Sequence, residues 1–175
     1  NTVTGVTEGL FFVKFASATV TISDLTLSAN TASKYLFIAT ITNGNLNMIG
    51  IRILDNVVNG KTSTTCVEVS VGGGALYMAD VTTHYNNYNY DETGLGNAMV
   101  SAICNVATSC ILEDLVLEGD PLSLEAFDNA ATLHNVSIRN STRGGIRLYV
   151  HQSHVDVQKV DIRDSFRTRG AGIQV

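Results

Sequence analysis

Glu68 and Glu125 are the residues whose setting most resembles that of paired acid–base catalysts. Each lies in a short alternating segment, CVEVSV (66–71) and LSLE (122–125), at a position opposite to the aliphatic side chains. If the two segments are strands of one parallel sheet, two places apart, their carboxylates stand roughly 9 to 10 Å from each other. That is the upper end of the separation an inverting glycoside hydrolase uses for its acid and base. Arg147, in GIRLYV (145–150), adds a cation one strand beyond Glu125, suited to an acidic sugar. The plainer reading of the same residues is a solvated sheet face on which Glu125 and Arg147 form a cross-strand ion pair.

Other residues invite chemistry of a different kind. The segment NNYNYDETGLGN (86–97) joins Tyr88, Tyr90 and Asp91 to several amides. That composition suits stacking on sugar rings and hydrogen bonding to their hydroxyls, or a surface excursion whose rings cover a flank of the fold. His84, Glu118, Arg139 and Arg163 recur at matching places in successive segments, with Glu113 near His134. A ladder of side-chain pairs accounts for them. Residues in one column run parallel rather than converge, so no metal site and no cofactor are expected. The carboxylates Glu113, Asp114, Glu118 and Asp120 offer at most weak calcium binding, with Asp114 expected to be occupied as a corner residue.

Three cysteines are an odd count. Cys104 and Cys110 flank an expected turn and are a candidate disulfide that leaves Cys66 free, and three reduced buried thiols are the alternative. Asn135-Val-Ser and Asn140-Ser-Thr are glycosylation sequons, meaningful in a chain secreted by a eukaryote. Gly72-Gly73-Gly74 lies between two strand-like segments and reads as a turn, not a phosphate cradle. The Gly-x-Ser-x-Gly, His-Glu-x-x-His and Cys-x-x-Cys patterns are absent from the sequence.

What must position these residues is legible as a repeat. One phrase occurs six times: TVTISDLTLSAN from Thr19, NLNMIGIRILDN from Asn45, ALYMADVTTHYN from Ala75, CILEDLVLEGD from Cys110, ATLHNVSIRNS from Ala131 and HVDVQKVDIRDS from His154. Each copy is a strand, a one-residue corner and a second strand. The residues after the corner, Leu25, Ile51, Val81, Leu115, Val136 and Val160, are separated by 26, 30, 34, 21 and 24 positions, so loops of varying length divide the copies. A third short strand lies between phrases, in 66–71, 122–125, 145–150 and 172–175, and residues 9–13 look like one more.

Three strands per repeat with alternating faces coil only if each bonds to its equivalent one repeat later. The corner column, Asp24, Gly50, Asp80, Asp114, Asn135 and Lys159, is rich in residues that tolerate left-handed dihedrals. Beside it run aliphatic columns through Leu46, Met48 and Ile51 and their equivalents. A sandwich has similar turn spacing but does not require such columns. The expectation is one all-β domain over 1–175, a single-stranded right-handed parallel β-helix of about six coils, each of three short strands.

The stretch from Asn135 to Val175 resembles the right-handed parallel β-helix repeat of pectate-lyase-like proteins, which include polysaccharide lyases, glycoside hydrolases, phage tailspikes and extracellular adhesins. The resemblance extends over nearly the whole chain and is specific for fold, not for activity. It implies that a catalytic site, if present, lies outside the first strand of each coil, among the loops that follow the third. The family's Gly-His-Gly, Asn-Thr-Asp and Trp-x-Asp-His patterns are missing.

The net charge of −5 disfavours nucleic acid as a partner. Residues 1–138 carry four basic and thirteen acidic side chains (4 − 13 = −9), and 139–175 carry seven and three (7 − 3 = +4). The longest apolar run, 9–15, is too short to span a membrane. The chain opens on Asn1 and closes within an expected strand, which reads as a piece of a longer or processed protein. Two functions follow as expectations. The first is a non-catalytic structural or adhesive segment of an extracellular, surface or filament protein, partnered end to end by flanking β-helix segments or by copies of itself. The second is a polysaccharide lyase, hydrolase or tailspike fragment acting on a glycan along the first-strand face.

Overall fold

A computed structural model describes residues 2–4, 11–32, 35–58, 65–88, 98, 100–107, 109–119, 121–141, 144–165 and 172–175, with backbone alone at 2–4, 11 and 88. Every regular element in it is a strand. In chain order they are β1 (Thr2–Thr4), β2 (Phe11–Ser23), β3 (Thr26–Ser28), β4 (Thr31–Ala32), β5 (Phe37–Leu54) and β6 (Val57–Val58). There follow β7 (Val67–Val71), β8 (Ala75–His84), β9 (Asn87–Tyr88), β10 (Val100–Asn105) and β11 (Ser109–Glu118). The last are β12 (Leu122–Phe127), β13 (Ala130–Arg139), β14 (Ile146–His151), β15 (His154–Arg163) and β16 (Ile173–Gln174). Among the described residues no helix is long and apolar enough to cross a membrane.

All pairings are parallel, and the chain winds as a β-solenoid of about five turns. That agrees with the repeat, since six copies of a phrase enclose five full turns. Along one side the order is β5-β8-β11-β13-β15, and along another β5-β7-β10-β12-β14-β16. The register keeps the aliphatic columns intact: Val20, Leu46, Leu76, Cys110, Ala131 and Val155 are successive partners, as are Ile22, Met48, Met78, Leu112, Leu133 and Val157. From Leu46 to Ala131 and from Met48 to Leu133 these side chains are at most 2% exposed, so the columns are the core.

The expected corner column is present in full. Asp24, Asp80, Asp114, Asn135 and Lys159 have φ between 51° and 53°, and Gly50 has 68°. Lys159 takes the same bend despite a side chain with no preference for it. A left-handed residue interrupts the ladder at one position only, so the second and third strands of a coil join as single ten-residue elements in β8, β11, β13 and β15. In β5 all three strands run on as eighteen residues. Gly44 within β5 (φ 144°) and Gly74 just before β8 (φ 132°) lie so close to backbone, Gly44 to Ala18 and Gly74 to Gly44, that no Cβ would fit. The triglycine at 72–74 therefore serves close backbone approach.

Two features go beyond the sequence expectation. A second corner column follows the third strand, through Ala29, Asp55, Tyr85, Gly119, Asn140 and Asp164, all with φ between 48° and 81°. Immediately after it β4, β6 and β9 form a separate three-stranded sheet, led by an asparagine ladder. Asn56 is fully buried; its Oδ1 accepts from the backbone N–H and the side-chain amide of Asn30, both at 3.0 Å. Its Nδ2 donates to the Leu27 carbonyl at 2.9 Å and to Asn86 Oδ1 at 2.9 Å. Asn86 in turn donates to the Ile53 carbonyl at 2.8 Å. These amides satisfy turn groups that water cannot reach.

Cys104 and Cys110 are joined across the turn from the first to the second strand of their coil, with S–S 2.17 Å and Cα–Cα 6.3 Å, and Cys66 is free and buried. The register shows what the bond straddles. Between the columns holding these cysteines the chain takes five steps elsewhere (41 to 46, 71 to 76, 126 to 131) and six from 104 to 110. The disulfide thus closes the one corner among these that carries an extra residue. That corner holds Val106, 65% exposed with φ 50°, a conformation costly for a β-branched side chain.

Candidate functional site

The outward face of β7, β10, β12 and β14 carries two columns of side chains. Ile38, Glu68, Ser101, Ser123, Arg147 and Gln174 form one, and Thr40, Ser70, Ile103, Glu125 and Tyr149 the other. Glu68 and Glu125 are two coils apart, as the sequence suggested, but they occupy different columns. The two-residue offset along the strand adds about 7 Å at right angles to the coil spacing, placing their Cα atoms about 12 Å apart. The register thus replaces the direct two-coil spacing of 9 to 10 Å expected from sequence with a diagonal one.

The two carboxylates still sense each other. Burial raises the Glu125 pKa above the ordinary carboxylate value, and the negative charge of Glu68 raises it further. Glu125 lies in a cleft of about 520 Å³ with Phe127, Leu148, Tyr149, His151 and Val175. The Phe127 and His151 rings are 6.3 Å apart between centroids and inclined by 38°. A carboxyl that holds its proton more tightly than usual, beside an aromatic wall and an imidazole, suits donation of a proton or a hydrogen bond to a ligand. The sequence carried a signal for His151: the alternation of IRLYVH extends one step past the aliphatic residues, which puts the imidazole on the outward face.

Arg147 departs from its expected role. Its register partner is Ser123, while Glu125 stands beside Tyr149, so the pair read as a direct cross-strand contact is diagonal. The side chain is also only 5% exposed, as are its column neighbours Ser101 at 6% and Ser123 at 5%. A guanidinium so covered presents almost no surface to a polymer. Tyr90 and Asp91 lie outside the described residues. Tyr88 is described in backbone only, where it pairs with Val58.

The third-strand stripe forms part of the expected ladder. His84 Nε2 lies 3.0 Å from Glu118 Oε2, whereas Arg139 turns from Glu118 to Asp161 at 3.9 Å. Asp161 also takes Arg163 Nε at 2.8 Å. Glu113, in register with His134, accepts the phenol of Tyr77, a contact that raises the pKa of that phenol. Both sequon asparagines stand on corners, exposed: Asn135 donates to Asp114 Oδ1 at 2.6 Å and Asn140 to Glu118 Oε1 at 3.3 Å. Backbone geometry alone thus explains an asparagine at either place. Among the described residues no three His, Cys, Asp or Glu side chains are grouped so as to hold a metal ion.

Comparison of the chain with protein-family models, with curated proteins and with solved structures gives no match.

Proposed function

We propose that the chain is a non-catalytic structural or adhesive segment of a larger extracellular, surface or filament protein, coiled right-handedly in the pectate-lyase-like manner. The observation that supports this is the state of the core at the two ends of the stack. The columns sealed in the middle coils are only partly buried at Val13, Val20 and Ile22 on one side and at Val155, Val157, Val160 and Ile162 on the other. Such cross-sections, with strand edges beside them, favour covering by further β-coils, supplied by the same chain or by a copy. The acidic character of 1–138 and the basic character of 139–175 favour a head-to-tail sense of docking. A disulfide in the core is in keeping with an oxidising, extracellular setting.

End-to-end assembly is measurable by sedimentation velocity and electron microscopy at low and high salt. The expected result is concentration-dependent linear assembly, weakened by salt and abolished by Val157→Lys with Ile162→Lys. A folded, monodisperse monomer at every concentration and salt level would refute the docking.

A second reading, a polysaccharide lyase or hydrolase, is favoured by the half-buried, raised-pKa Glu125 in a cleft with Tyr149 and His151. Release of reducing ends from a panel of acidic and neutral polysaccharides would measure it. Activity unchanged in both Glu125→Gln and Glu68→Gln would remove the carboxylates from any mechanism.

A further inference from the structure

The second corner column sets a backbone requirement that two of its residues, Ala29 and Tyr85, meet badly. Asp55 (φ 54°), Gly119 (φ 81°), Asn140 (φ 53°) and Asp164 (φ 51°) are of the types that enter left-handed space most readily. Tyr85, at φ 48°, is not: an aromatic side chain gains nothing from that conformation. Neither does the core explain it, because Tyr85 is 68% exposed. Ala29, Val106 and Lys159 take the same bend, so what sets Tyr85 apart is the large aromatic ring that the corner holds out to solvent.

The surroundings of Tyr85 are ordered toward one face. Its ring stands 3.7 Å, centroid to centroid, from that of His84 at an inclination of 57°. His84 is tied to Glu118 Oε2 on the next coil, and Glu118 Oε1 accepts from the amide of Asn140 on the coil beyond. Between Tyr85 and Asn140 in the corner column lies Gly119, where an added side chain would meet nothing within 4 Å. The result is an aromatic ring on one side, a bare backbone step, and a carboxylate–amide pair on the other, across two coil spacings or about 10 Å.

We infer that this step, formed by Tyr85, His84, Gly119, Glu118 and Asn140, binds a pyranose ring of a neutral polysaccharide. The apolar C–H face of the sugar stacks on Tyr85, its ring crosses Gly119, and its hydroxyls meet the Glu118 carboxylate and the Asn140 amide. Charge selects the neutral class. Asp55 and Glu118 flank Tyr85, while the nearby cations Arg139 and Arg163 are engaged by Asp161, so a uronate would meet repulsion. The site shares no residue with the lining of the Glu125 cleft, and it does not depend on whether coils dock end to end.

Affinity electrophoresis and calorimetry of the full chain with mixed-linkage β-glucan, xylan and mannan, and with polygalacturonate as an acidic control, test it. Retardation by at least one neutral polymer is expected, falling about tenfold or more in Tyr85→Asn and in Gly119→Asn. Both substitutions place a residue that suits the corner, so thermal stability should be kept, or raised for Tyr85→Asn, which separates loss of binding from loss of fold. Asn135→Gly, an exposed position on the other corner column, should bind as the wild type does. Retardation by no neutral polymer, retardation by polygalacturonate alone, or binding that survives Tyr85→Asn would each overturn the inference. So would binding lost in Glu125→Gln, which would assign the glycan to the first-strand cleft.

Discussion

Replacing Asn56 by alanine tests whether the amide ladder, and not the aliphatic columns alone, holds the second corner closed. Its side chain makes four hydrogen bonds, two accepted from Asn30 and two donated to Leu27 and Asn86, and it is 0% exposed. At about 1 kcal/mol net for each bond, and more for a partner left buried and unsatisfied, the loss is about 4 kcal/mol. In a chain of this size that lowers Tm by about 8–16 °C. Asn135→Gly is the matched control: Asn135 is an exposed corner residue at φ 52°, its side chain makes a single bond to Asp114, and glycine accepts the bend. Thermal and urea unfolding followed by far-UV circular dichroism give the comparison. Amide exchange at residues 30, 56 and 86 detects local opening, since stacked repeats need not unfold all at once. A loss below about 1 kcal/mol in Asn56→Ala, or no larger than in Asn135→Gly, would refute the reasoning.

Four further outcomes are expected. Thr83 is fully buried and its Oγ1 has no hydrogen-bond partner among the described residues, so Thr83→Val should stabilise by about 1 kcal/mol in urea melts. Val106→Gly should also raise stability by about 1 kcal/mol, because it removes a β-branched side chain from left-handed backbone. The raised pKa of Glu125 means the folded state holds its proton more tightly than the unfolded one, so ionisation penalises folding as pH rises through that window. Glu125→Gln should therefore raise Tm near neutral pH and change it little at about pH 3, where both states are protonated. Thiol alkylation without reductant should leave Cys104 and Cys110 unmodified, and reducing their six-residue link should cost about 2 kcal/mol.

The sequence made the first corner and the aliphatic columns legible because both are set by local rules. A left-handed bend favours Asp, Asn and Gly, and a buried strand face alternates, so Asp24 to Lys159 and Leu46 to Val136 align without any structure. The second corner was hidden because Ala29 and Tyr85 advertise no turn, although it follows the first by the same interval in every coil, as in 24 to 29 and 80 to 85. The asparagine ladder left a trace in Asn30, Asn56 and Asn86, each one place past that corner, but Ser141 and Ser165 break the column and mask it. The Glu68–Glu125 offset could have been counted: Glu68 is the second residue of its strand and Glu125 the fourth, a difference that strand count alone ignores. Burial of Arg147 could not, because its outward position implies solvent and only tertiary covering removes it.

The constant interval between the two corners has a consequence for how such a chain can change. From the first-strand columns through both corners the path hardly varies, so nearly all the difference between coils of 21 and 34 residues falls after the second corner. Insertions and deletions there lengthen a loop without shifting any side chain from core to solvent, whereas one residue added elsewhere would invert a strand face. The single extra residue before Cys110 is the exception, and a covalent tie spans it. Selection can therefore rewrite the loop beside Tyr85 independently of the stack that presents it, which makes the solenoid a fixed printing bed for exchangeable type.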